Sequence, residues 1–361
     1  MRYASATAVR GDQAGTADCL FAILRSFSGL KRTRISRIQV ATQEIEQPEI
    51  GIIIKTILLT TAVIVLPGLE WSFFGWSQIF LPLLSFFLLG RFGGHTGKRV
   101  LLCATTLSLI VYVVLGGVEL FLFSFALLFS GVILFRSAER HESPTLSGFK
   151  TAGSLAGSWF LAVIILSTGS EVSVYDQLLK TLDHSIIEAV EYYRQSGSIS
   201  SENLVMLETS LYRMQLLVPM IMPAVLGSAI LMITWLTMVI GNTLRLKTFD
   251  NFAWDSYRNW QLPEKLVWGV IIMGVLTLAP TGFRIVGMNC LILLGIIYCF
   301  QGLSILVFFM NKWNVPLLLR SFFYVMIIFQ SLGTLVLLFV GIADIWLDFR
   351  RQKPVATTKN A

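Results

Sequence analysis

A chain of 361 residues with 55% hydrophobic and only 14% charged side chains is too apolar for an ordinary soluble domain, which carries about 25% charge. In water it would expose large adhesive patches, so the mean hydropathy of +0.73 makes lipid the solvent and excludes the soluble classes. The net charge of +7 sits mostly in connectors rather than in one basic stripe, which argues against a nucleic-acid partner and makes charge a guide to membrane orientation.

Residues 1–50 read as a basic cytoplasmic arm, flexible or lying on anionic lipid through "CLFAILRSFSGLKRTRISR". No apolar core followed by a small-residue cleavage site marks a signal peptide there. From residue 51 the apolar residues fall in blocks of membrane length, and in hydrocarbon a backbone must bond to itself, so the blocks are helices. The fold expected is all-α, a polytopic transmembrane helical bundle of about nine spans, with eight to ten compatible with the pattern. The spans are 51–69, 73–90, 100–116, 118–135 and 155–168, then 215–241, 265–280, 285–310 and 316–343. The fifth can begin earlier, near Phe149, and the ninth can break near Gln330–Gly333. Spans one to five occupy 51–168, an external segment 169–214, spans six to nine 215–343, and a charged tail 344–361.

Basic residues assign the sides. Seven lie in the N-terminal arm (Arg2, Arg10, Arg25, Lys31, Arg32, Arg34, Arg37). Others follow span two (Arg91, Lys98, Arg99), span four (Arg136, Arg140, Lys150) and span six (Arg245, Lys247, Arg258). Single crossings put all of these on one face, the cytoplasm by the positive-inside rule. The tail resists, because nine spans put Arg350, Arg351 and Lys353 outside.

In the external segment Val174, Leu178, Leu179, Leu182, Ile186, Val190 and Tyr193 recur at helical spacing among charges, which predicts an amphipathic helix acting as a lid. "QSGSISS" ends it, and Ser200 or Ser201 caps a second helix leading into span six. Pro219 and Pro223 then kink that span. In span five, Ala152, Gly153, Ala156 and Gly157 form a small-residue face suited to close helix packing or subunit assembly.

The connector "NFAWDSYRNWQLPEKLVWG" concentrates Trp254, Tyr257, Trp260 and Trp268 among charges. Such rings favour the headgroup level, so the stretch reads as an interfacial belt. Trp254, Tyr257, Arg258 and Trp260 are the candidate docking residues for a partner. Polar groups at membrane depth are costly. Gln301, near the middle of span eight, either bonds another helix or contacts a ligand. Toward the outer face, Glu70, Trp71, Glu119, Arg284 and Asn289 are placed to line a shallow pocket. Asp344, Asp348, Arg350 and Arg351 read as an interfacial charge cluster.

Enzyme signatures are missing: "GGHTGKR" lacks the first glycine and the final Ser/Thr of a phosphate loop, and neither HExxH nor GxSxG occurs. We expect no enzyme and no cofactor. Cys19, Cys103, Cys290 and Cys299 lack metal or disulfide spacing.

"YRNWQLPEKLVWGVI", "GMNCLILLGIIYCFQGLSILVFFMNK", "GIADIWLDFRR" and, in the front half, "FLPLLSFFLLGRFGG" resemble the YybS-like family of bacterial integral membrane proteins of unknown function. The resemblance covers roughly 50–351 and implies the bacterial cytoplasmic (inner) membrane. That family is remotely similar to the S components of energy-coupling-factor vitamin transporters. These are six-helix bundles that hold their ligand near the outer face and dock on a transmembrane coupling subunit with two ATPases. The docking helix of S components often carries Ala-x-x-x-Ala. Here the first span offers Thr56 and Thr60 instead. The expectation is therefore a substrate-binding subunit of a small-molecule transporter, with the lipid bilayer and such a coupling subunit as partners. The alternative is a non-transporting scaffold or regulator of envelope processes.

Overall fold

The computed structural model describes residues 50–168, 174–196, 200–249 and 253–350. The N-terminal arm and the tail beyond Arg350 lie outside the described residues. Of the described residues, 50–54, the opening of α1, and 55–350 belong to separate compact units.

The described residues are helical, without a strand. In chain order they form α1 (Ile50–Leu69), α2 (Trp71–Phe74), a 3-10 turn (Gly75–Phe80), α3 (Leu81–Leu115), α4 (Val118–Glu139) and α5 (Pro144–Thr168). Then come α6 (Val174–Ser196), α7 (Ser201–Phe249), a 3-10 turn (Tyr257–Asn259), α8 (Leu266–Leu276), α9 (Thr281–Lys312), α10 (Leu317–Phe329) and α11 (Ser331–Leu347).

Among the described residues, six helices are long and apolar enough to cross a bilayer, or seven if the bent pair α10/α11 counts as one span. The difference from the nine expected lies at three places. First, expected spans two and three fall within one apolar stretch, Trp71–Leu115, but Gly93 breaks it with φ 74° and ψ 162°, so they remain two arms. That left-handed backbone is open to glycine at little cost, and a Cβ on Gly97 would press on the backbone of Leu88 and Leu89. The chain therefore folds back on itself at Gly93. Second, α8 has 11 residues, about 16 Å of helix against about 30 Å of hydrocarbon. Third, α10 and α11 meet at 99°, broken at Gln330, whose φ −110° and ψ 114° are extended.

Contacts fix the directions. Gln78–Ser124, Pro82–Gly131 and Phe86–Phe135 ascend together, so α4 runs parallel to the first arm of α3. Thr61–Ala104 and Ile64–Tyr112 make α1 parallel to the second arm. Ala224–Asn289, Gly227–Leu293 and Trp235–Phe300 align α7 with α9. Gly295–Leu338, Tyr298–Gly341 and Gln301–Asp344 align α9 with α11. The turn at Gly93, the α4–α5 turn, the α7–α8 connector and the end of α11 consequently gather at one end of the bundle. The basic connectors after spans two, four and six share this end, as expected. Arg350 joins them there, which removes the conflict that nine single crossings created for the tail.

Between α7 and α9, Asn289 takes the place of a helix hydrogen bond. Its Oδ1 accepts from Ala224 N (2.8 Å) and its Nδ2 donates to Met220 O (2.8 Å). Pro223 lacks the N–H that would reach Pro219 O, and the Tyr175 hydroxyl donates to that carbonyl instead, at 3.2 Å. The backbone groups left unbonded around Pro223 in span six are thus satisfied by Asn289 and Tyr175. Beyond it α6 and the first turns of α7 form a hairpin, joined by Arg194–Glu208 at 2.6 Å. Ser200 caps α7, its Oγ accepting from Asn203 N at 3.4 Å. Pro219 and Asn242 are 23 residues apart, about 34 Å of helix, so this hairpin lies at the end away from the connectors.

Close packing uses other glycines than expected. Gly131 against Pro82, Gly302 against Leu337 and Gly341 against Tyr298 leave no room for a Cβ. Backbones that approach this closely gain the dispersion contacts that hold helices together in lipid. Gly153, Ala156 and Gly157 of α5 are instead exposed, with open space beside both glycines.

Candidate ligand-binding cavity at the connector end

The α7–α8 connector turns into the bundle, and side chains hold it there. Asn242, 4% exposed on α7, accepts from Ala253 N (2.9 Å) and Trp254 N (3.2 Å) and donates to Trp254 O (3.1 Å). Trp254 is 5% exposed. It stacks on Phe86 at 5.9 Å and donates its indole N–H to Glu142 O at 3.1 Å. Tyr257 donates to Phe300 O at 2.6 Å, and burial pushes its phenol well above the ordinary range, so it stays a neutral donor. The belt expected at headgroup level is therefore turned inward: Trp254 is core, Tyr257 and Trp260 are half-buried, and Arg258 and Trp268 are exposed.

A clasp from α9 and α11 closes over the same connector. Gln301 accepts from Leu262 N at 3.1 Å and donates to Asp344 Oδ2 at 2.8 Å. Arg350 binds the same carboxylate oxygen at 2.7 Å, with both side chains at 5% exposure or less. Its Nη1 donates to Arg258 O (3.0 Å), Trp260 O (2.7 Å) and Ser304 Oγ (2.9 Å). The expected interfacial charge cluster is thus, for Asp344 and Arg350, a buried pair. A pair taken from water holds only when its remaining lone pairs and protons are met, and backbone carbonyls and Phe349 N meet several of them here.

Between α5, α7, α9 and the connector lies a half-open cavity of about 110 Å³. Trp235 and Phe300 form one wall, stacked at 4.8 Å and 6°. Tyr257 meets Trp235 edge-on at 5.8 Å. Gly148 and Phe149 of α5 face them, and Trp260, Leu262 and Gln301 border the connector side. Thr234 also lines the cavity; it is 4% exposed, and its hydroxyl has no hydrogen-bond partner.

Of the residues expected at a site, the cavity brings together Gln301, Tyr257 and Trp260. Glu70, Trp71 and Glu119 are exposed at the far end of the front helices, and Arg284 is exposed in the first turns of α9. Asn289 is engaged with α7. Asn242, Thr234 and Trp235 were not singled out by sequence. The one signal for Asn242 is an amide near the end of span six, and a threonine in an apolar helix carries none.

These features define a class: a multi-pass, all-helical membrane protein whose connector is folded back into its own bundle. Residues 56–345 match the family described as "Predicted membrane protein (DUF2232)", and the chain belongs to that family. No curated protein and no solved structure matches it.

Proposed function

We propose that the protein is the substrate-binding subunit of a small-molecule transporter and that the connector-end cavity is its site. The observation that carries this reading is the half-open, aromatic-walled cavity, which has Thr234, its hydroxyl buried without a partner, among its lining residues. Buried polar groups are nearly always bonded, and a ligand would supply the missing partner. The resemblance to S components adds support in kind but differs in place: those proteins hold ligand near the outer face. By the positive-inside rule the connector end faces the cytoplasm of a bacterial inner membrane. With no ATPase motif in the sequence, transport needs a transmembrane coupling subunit with ATPases. Purification from the native membrane in mild detergent tests this directly. A co-purifying ATPase-bearing complex supports the transporter reading. A lone chain whose melting temperature responds to no small molecule overturns it.

The scaffold reading is favoured by one feature, the exposed Trp268 and Arg258 beside the connector. Photocrosslinkers at these two positions that trap a protein without ATPase motifs would favour it.

A further inference from the structure

We infer that the cavity takes a neutral, single-ring molecule carrying one hydrogen-bonding group; this rests on the proposal that the cavity is the substrate site. Size is the first argument. At about 110 Å³ it is smaller than the ~300–1,000 Å³ of drug-sized ligand pockets, and comparable to an apolar cavity of about 150 Å³ that holds benzene. Being half-open, it admits one ring with a small substituent and excludes a fused, vitamin-sized ligand unless the connector moves.

Shape is the second. The Trp235–Phe300 stack, with Tyr257 edge-on to it, presents ring faces and edges, and aromatic pairs favour offset or edge-to-face contact. An aromatic guest continues this arrangement.

Charge is the third. No Asp, Glu, Lys or Arg lines the cavity. Asp344 and Arg350, behind Gln301, are bonded to each other. An ionised ligand would lose its hydration with no counter-charge to replace it.

The hydrogen bond is the fourth. Helical Thr ordinarily returns its hydroxyl to a preceding carbonyl, as Thr237 does to Ile233 O at 2.7 Å. Thr234, three residues earlier, does not, and its oxygen can both donate and accept. The Gln301 amide is already committed to Leu262 and Asp344; the Thr234 hydroxyl, closed to solvent as it stands, reaches a ligand by turning about its Cα–Cβ bond and so fixes the ligand's orientation.

Phenol is the probe, with benzene and benzoate as comparators, titrated calorimetrically into the full chain in lipid nanodiscs. Phenol is expected to bind saturably and to lose about tenfold in affinity in Thr234→Val, the worth of about one hydrogen bond. Benzene binding is expected to be unchanged by that substitution, and benzoate not to bind. Gly148→Leu fills the cavity and is expected to abolish binding of both neutral probes. Equal phenol affinity in Thr234→Val, or benzoate binding as well as phenol, overturns the inference. So does an acyl chain in the cavity, seen as Trp235-dependent fluorescence quenching by dibrominated lipid. If phenol fails while a molecule extracted with the native protein binds and is lost in Gly148→Leu, the ligand class is wrong and the substrate-site proposal stands. If no extracted molecule binds and Gly148→Leu changes nothing, both fall.

Discussion

The helices before the α6 hairpin and those after it solve the same problem in different ways. In α3–α5 the buried polar side chains are mostly hydroxyls that return a bond to their own helix. Ser108 donates to Ala104 O, Ser130 to Leu127 O and Thr151 to Ser147 O. In α7–α11, beside the hydroxyls of Thr234, Thr237 and Ser304, they include amides and charges that bond other elements: Asn242 to the connector, Asn289 to α7, and Gln301 and Arg350 to both connector and Asp344. A hydroxyl satisfied on its own helix does not care what packs beside it. An amide or a guanidinium in lipid has no such local answer, so it specifies a neighbour. The front half is held by shape, and the back half is wired.

The largest effect that would break this contrast is at the clasp. Asp344→Ala leaves a buried guanidinium unpaired and is expected to cost about 3–5 kcal/mol in detergent unfolding. Replacing both partners, as in Asp344→Leu with Arg350→Met, should recover much of that loss. A single-mutant cost near zero would mean that the clasp does not hold the connector. Next is Asn289→Leu, which strands Ala224 N–H and Met220 C=O. A loss of about 2 kcal/mol is expected, with faster amide exchange at Ala224. Unchanged exchange there would show that α7 reforms its own bond.

In the front half, Ser108→Ala and Ser130→Ala remove only self-satisfied hydroxyls and should each cost less than about 1 kcal/mol. A cost equal to that of Asn289→Leu would erase the distinction between the halves. The smallest effect concerns Glu142 in the α4–α5 turn. Lys150 at 2.5 Å and the Ser137 hydroxyl hold its carboxyl below its ordinary 4.5. A depressed carboxylate stabilises the fold above its unfolded value and loses that contribution as pH falls through the lower folded value. Lys150→Met should therefore flatten the pH-dependence of melting below about pH 4.5 and leave it unchanged near neutrality.

Sequence revealed the solvent, the helical class, the amphipathic helix at 174–196, the capping serine and the shared end of the basic connectors. Each of these is written in local composition or period. Hydropathy does not fix helix length, so it read 265–280 as a full crossing where the chain makes an 11-residue helix, whereas the break near Gln330 in 316–343 was among its readings. Nor does composition separate a ring at the headgroups from a ring in the core. Trp254 is buried because Asn242, twelve residues earlier, captures its backbone, and no periodicity encodes that pairing. Gln301 was legible as a costly amide, but its partners come from segments 39 residues before it and 43 after it.

The clasp also imposes an order on biosynthesis. Arg350 completes the hydrogen bonds that hold Arg258 and Trp260, yet it leaves the ribosome some ninety residues after them. Through that interval the carbonyls of Arg258 and Trp260 lack the Arg350 guanidinium. The connector end of the bundle thus closes last, while the nascent protein is still being threaded into the bilayer.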